Sequence, residues 1–149
     1  MSPQQLLEEM YRQIPLSAAM QVAILAADES QVRLAAPLAP NLNHCASVFG
    51  GSLLSLAILS SWALLRVALQ SAAVAARVVI QDAQAEFLRP ADAGFEAISR
   101  LPEADWPRFL YTLERHPRAR ILLPAEVVSA GQRVLRQRGV FVALREDSR

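Results

Sequence analysis

From Val48 to Leu65 the chain carries no charged side chain, and a glycine pair, Gly50-Gly51, stands near the start of that run. The run is too long for one strand and has the length of a helix, and a helix that is apolar all round has to be surrounded. Two surroundings satisfy it: a bilayer, whose lower length limit it just meets, or the interior of a folded domain. Ser52, Ser55, Ser60 and Ser61 interrupt its apolar surface, and strand-like segments lie on both sides of it. The expectation is a helix from about Gly50 to Ala73, enclosed by a sheet, with no membrane span.

The flanking segments supply that sheet. Ser2-Pro3-Gln4-Gln5 reads as a capping box with Pro in the first turn, followed by Leu6, Leu7, Met10 and Ile14 at helical spacing until Pro15 stops the helix. Residues around 20–27 and 31–37 read as two strands joined at Asp28-Glu29-Ser30. After the long helix, Arg77 to Leu88 alternates, with Ala83, Ala85 and Phe87 on one face and Asp82, Gln84 and Glu86 on the other. Phe95 to Leu101 returns as a strand after the turn from Arg89 to Gly94. Asp105-Trp106-Pro107 starts a short helix that His116-Pro117 ends. Final strands near 119–129 and 132–144 meet about Ala130-Gly131. Consecutive strands with short turns pair antiparallel. The pattern is α+β: a curved antiparallel sheet of about six strands wrapped around one long central helix, with a short N-terminal helix and an extra helix between strands four and five. No repeat or linker interrupts residues 1–149, so they form one domain.

Composition removes several classes of chemistry. A net charge of +1 argues against a nucleic-acid partner held by phosphate contacts. All 15 basic residues are Arg, which excludes a Schiff-base lysine and a phosphate-loop lysine. One cysteine, Cys45, rules out an intrachain disulfide and a Cys-rich zinc site, and with two histidines no metal or cofactor is expected. The opening Met1-Ser2-Pro3-Gln4-Gln5 lacks a basic segment ahead of an apolar one, so the expected compartment is the cytoplasm.

The chemistry-bearing stretch runs from Asn41 to Ser52. Glycines at a helix N-terminus allow close approach to backbone N–H groups that favour developing negative charge. Gly50 and Gly51 therefore suit polarisation of a carbonyl, or simply tight packing of the helix start. His44 is the natural general base beside them, or a polar residue facing solvent. Asn43 either orients a water or the carbonyl, or bonds its own turn. Cys45 reads as a small buried thiol more readily than as a nucleophile. Ser52 reads as a cap or first-turn residue. Ser60 packs or faces the pocket, and Asp82 is a solvated strand residue unless it reaches a second subunit's site.

Pro37-Leu38-Ala39-Pro40-Asn41-Leu42-Asn43-His44 and Phe49-Gly50-Gly51-Ser52-Leu53, with Phe87-Leu88-Arg89-Pro90 after the helix, resemble hot-dog-fold thioesterases. The resemblance is closest to a bacterial branch found alone or fused C-terminal to an acetyltransferase domain. It implies hydrolysis of acyl thioesters of coenzyme A or acyl carrier protein, in a homodimer or homotetramer with the acyl site between subunits. On that reading Asn43, His44 and Gly51 are catalytic, and Val48, Phe49, Gly50, Ser52, Ser60, Asp82 and Arg89 bind substrate. One departure stands out. Many such enzymes carry an Asp or Glu within the central helix, and that place falls near Ile58; no Asp or Glu occurs from Ser30 to Gln81. The alternative is a non-catalytic acyl-binding or scaffolding protein, with a dehydratase as a weaker third reading.

Overall fold

The computed structural model describes residues 1–147. Four helices, α1 (Pro3–Gln13), α2 (Pro15–Ala19), α3 (Gly50–Ser71) and α4 (Trp106–Arg115), accompany six strands: β1 (Ala23–Ala27), β2 (Gln31–Ala36), β3 (Ala76–Phe87), β4 (Phe95–Arg100), β5 (Arg118–Ser129) and β6 (Gln132–Arg145). The strands form one sheet in the order β1-β2-β4-β5-β6-β3, each neighbouring pair antiparallel. β1 and β3 are its edges. This is the hot-dog arrangement, with α3 as the enclosed helix and α4 between β4 and β5.

α3 is the only described helix long and apolar enough to cross a membrane, and most of it is buried within the domain. Leu56, Leu64, Leu65 and Leu69 have no exposed surface. Burial of a leucine stabilises by about 2 kcal/mol, while a glycine in a helix costs about 1 kcal/mol relative to alanine. The core thus outweighs the two glycines that open the helix, and their presence there calls for a reason other than helix formation.

The sheet shows α3 one face. Alternate residues of β6, namely Leu135, Gln137, Gly139, Phe141 and Ala143, are buried, while Arg136 and Arg138 are exposed. β5 follows suit with Ile121, Leu123, Ala125 and Val127 inward. The β5–β6 hairpin closes through Ala130 and Gly131, both at positive φ (49° and 75°), which gives a two-residue turn whose twist matches the strands.

Three local features depart from the sequence expectation. Pro15 ends α1 but also starts α2, because proline is suited to a first helical position; Ser17 Oγ then donates to the carbonyl oxygen of Ile14 at 2.7 Å. Gln21 takes a positive φ of 58°, which delays β1 to Ala23. The alternation of Arg77 to Leu88 is also not continuous. A bulge between Ile80 and Asp82 leaves Gln81 extra, so Ile80 pairs with Phe141 and Ala83 with Gly139. The bulge resets the phase: Val78, Ile80, Ala83, Ala85 and Phe87 share the inner face, and Asp82, Gln84 and Glu86 the outer one.

Candidate functional site

The loop before α3 is pinned at two levels. Buried Asn41 donates from Nδ2 to the carbonyls of Met20 (3.0 Å) and Pro37 (2.8 Å), while its own carbonyl accepts from the N–H of Phe49 at 2.7 Å. Between them, Asn43 closes a small loop. Its Oδ1 accepts from the N–H groups of Cys45 (2.8 Å) and Ser47 (3.0 Å), and its Nδ2 donates to Ser47 Oγ (2.8 Å). Val48, also buried, donates its N–H to the Ala91 carbonyl at 2.7 Å. These anchors fix where the helix begins.

α3 has no side-chain cap at Phe49. Ser52 N–H turns back to the Phe49 carbonyl at 2.9 Å, and the N–H groups of Gly50 and Gly51 have no acceptor among the described residues. The two unpaired donors sit where the helix dipole is positive. Two exposed rings flank them. A Cβ on Gly51 would stand 2.3 Å from Cε1 of Phe49, and one on Gly50 would stand 3.1 Å from Cε1 of Phe87. A side chain at position 51 would have to displace the exposed ring folded across it.

One turn further on, a groove of about 840 Å3 opens between α3, β3 and the N-terminal helices. Ser55, Ile58 and Trp62 line it from α3, Val78 and Ile80 from β3, and Phe141 from the floor. Gly51 precedes Ser55, Ile58 and Trp62 by four, seven and eleven residues, so it stands on the same helix face. At the far end Arg66 donates to Glu9 Oε1 from Nη2 (2.8 Å) and Nε (3.0 Å). The groove is apolar along its length and polar at that end.

The sequence-derived candidates divide. Asn43, His44, Val48, Phe49, Gly50, Gly51 and Ser52 form the loop and first turn of α3. His44 and Cys45 are both exposed, so Cys45 is not the buried thiol expected. Asn43 spends three of its side-chain bonds on its own loop and keeps one N–H. Ser60 has no exposed surface and donates to the Ala57 carbonyl at 2.7 Å, which turns it into the core rather than the groove. Asp82 pairs with Val140 on the outer face, away from α3. Arg89 is exposed and donates to Gln132 Oε1 at 2.7 Å, across the turn after β3. Ile58 does line the groove, and no carboxylate takes its place. Among the described residues no cluster of His, Cys, Asp and Glu suited to a metal is formed.

A family model described as "Putative thioesterase (yiiD_Cterm)" matches residues 3–145. The chain belongs to this family. A putative thioesterase from Shewanella oneidensis is similar at 27% identity, covering 95% of this chain and 96% of that one, with a TM-score of 0.87. A protein of unknown function from Chlorobaculum tepidum TLS is similar at 25% identity over 97% and 94% of the two chains, TM-score 0.91. A thioesterase from Haemophilus influenzae shares the fold at 13% identity, over 97% and 92%, TM-score 0.75. No curated protein matches the sequence. Membership in the yiiD_Cterm thioesterase family agrees with the unpaired amides above an apolar groove.

One residue of the site escapes a reading of the sequence by types. Asn41 was one Asn of an Asn-rich loop; only its burial marks it as the anchor.

Proposed function

We propose that this protein hydrolyses acyl thioesters of coenzyme A or acyl carrier protein. The observation that carries the reading is the pair of unpartnered N–H groups on Gly50 and Gly51, the second of them on the helix face that continues into an apolar groove. The thioester carbonyl lies against these amides, and its acyl chain follows Ser55, Ile58 and Trp62. Charge reaches the carbonyl oxygen only as water attacks, so donors fixed beforehand favour the transition state over the bound ester. His44 takes the proton of the attacking water. Asn43 holds the loop that carries His44, and its remaining N–H faces the same task. Val48, Phe49 and Ser52 frame the thioester, and Arg89 and Asp82 lie beyond it.

The active species is a homodimer or a tetramer built from it, working in the cytoplasm. β3 is a long edge strand, and Val79, Ile80, Phe87 and Leu88 expose apolar surface along it or at its end, which an edge-to-edge partner would cover. The absence of a carboxylate at Ile58 favours a second reading, a protein that binds acyl thioesters without cleaving them. Thiol release over a panel of acyl thioesters separates the two. Hydrolysis by the wild type, lowered about 10²-fold or more by His44→Ala and unchanged by Asp82→Asn, is the expected result. Binding with no turnover of any member would install the second reading, and loss through Asp82→Asn alone would move the base to β3.

A further inference from the structure

Arg66 is the single charged residue of α3, and it lies on the stripe of that helix that the domain leaves uncovered. From Leu56 to Leu69 every residue is buried except Ile58 and Arg66. Gly51, Ser55, Ile58, Trp62 and Arg66 follow one another at helical spacing, which sets them in one row. The last four border the groove, so along that row an apolar wall gives way to a charge within one turn. The carboxylate that answers the charge borders the groove as well. Glu9 Oε1 accepts both Arg66 bonds and a third, at 3.3 Å, from Gln13 Nε2. The two side chains are only 22% and 13% exposed. The facing strand runs the other way, with Phe87 against Gly50, and changes at the same level. Ile80 and Val78 are succeeded there by Arg77, whose Nε stands 3.9 Å from Glu146 Oε1. Fastening α1 to α3 does not call for charges, because a well-packed apolar pair in such a place is commonly as stable or more so.

We infer that the Arg66–Glu9 pair determines specificity as the end-stop of the acyl groove, setting the longest chain that the groove accepts. The inference rests on the thioesterase reading and adds the acyl class to it: unbranched apolar chains of medium length. Each methylene laid on Ser55, Ile58 and Trp62 leaves water, which tightens binding by up to about fourfold, the 0.8 kcal/mol of a buried CH2. Beyond Trp62 a further methylene would strip water from two charges and offer them no hydrogen bond, which cancels that gain. Helix side chains lean toward the N-terminus, so Arg66 guards the turn that Trp62 opens. From Gly51 to Trp62 the helix rises roughly 16 Å at about 1.5 Å per residue. An extended chain advances about 1.2 Å per bond, a third of the reach of one residue with its three backbone bonds. The limit therefore falls at about twelve to fourteen carbons.

The test uses non-hydrolysable thioether analogues of straight-chain acyl-coenzyme A, from four to eighteen carbons, measured by calorimetry on the full chain. Wild-type binding should tighten with each added carbon and then stop tightening at about twelve to fourteen. Replacing the pair together, Glu9→Met with Arg66→Met, should move that break upward by two carbons or more. The sixteen-carbon analogue should then bind about tenfold or more tightly than to wild type, while chains of eight carbons or fewer stay within about threefold. Glu9→Gln with Arg66→Gln keeps a hydrogen bond between α1 and α3 and should move the break in the same direction. A structural role alone would leave the break where it is. Wild-type affinity that climbs through eighteen carbons overturns this inference without either variant, as does a break at ten carbons or fewer. A break unmoved in both folded variants overturns it equally. In all these cases the thioesterase reading stands, whereas binding of no analogue of any length removes that reading as well.

Discussion

Gly51→Val separates the helix-end amides from the fold that presents them. A side chain at position 51 displaces the Phe49 ring, whose Cε1 and Cζ stand 2.3 and 2.8 Å from where the Cβ would lie. That ring ends a side chain 57% exposed, so less than half of an aromatic surface of about 150–250 Å2 is at stake, on the order of 2 kcal/mol at most. Replacing glycine by valine in the helix returns only about 0.3 kcal/mol, since valine itself ranks well below alanine. The net cost is about 1–2 kcal/mol, a fall of about 2–8 °C in melting temperature for a chain of this size. Activity should respond on another scale. The added methyls occupy the approach to the Gly51 N–H, and loss of one such donor costs about 10²–10³ in kcat, roughly 2.7–4 kcal/mol. Circular dichroism melts and thiol-release kinetics on the same preparation measure both, with Gly51→Ala falling between. A folded Gly51→Val protein with kcat/KM within about threefold of wild type refutes carbonyl polarisation by this amide.

Light scattering should find a dimer or tetramer at micromolar concentration, and a stable monomer would remove the shared-edge assembly. Asn41→Ala should cost about 1–3 kcal/mol, because it leaves the carbonyl of buried Met20 unmet and loses the bond to Pro37; it should also lower kcat through the loosened helix start, and unchanged stability in urea would contradict the anchoring role. The Ser30 hydroxyl, then the N–H groups of Ser30 and Gln31, hold the Asp28 carboxyl below its ordinary range. Its contribution to stability is complete above about pH 4 and is lost as pH falls through the lowered folded value. Asp28→Ala should therefore weaken the protein most at neutral pH and progressively less as pH falls into the acid range, and an effect that does not shrink on acidification would exclude the charged turn as the cause.

The long elements were legible because each carries a repeated signal. The uncharged run from Val48 fixed α3, the capping box fixed α1, and Ala130-Gly131 fixed the last hairpin. The failures sit where one residue decides. Nothing in Ile80-Gln81-Asp82 announces a bulge, since the residues fit either phase until β6 is laid beside them. Ser60 looked available because serines mark a helix surface, yet it satisfies itself one turn back at Ala57, a bond any buried serine can make. Asn43 lies in the loop before α3, and its amide serves that loop first. For the chemistry, types and spacing singled out the glycine pair; the lack of an acceptor for their amides is a property of three-dimensional neighbours.

A strand with a period of two carries a parity, and Gln81 is the residue that sets it for the outer half of β3. Substitutions there leave the parity alone. Loss or gain of a single residue between Val79 and Ala83 exchanges the two faces beyond the break, and Asp82, Gln84 and Glu86 would then replace Ala83, Ala85 and Phe87 opposite the glycine-led end of α3. Two carboxylates would stand where the developing oxyanion needs donors, and Phe87 would leave Gly50. The outer face of β3 should therefore drift in composition while the strand's length stays fixed, which makes chain length between Ala76 and Phe87 a sharper mark of the retained arrangement than the identity of its outward residues.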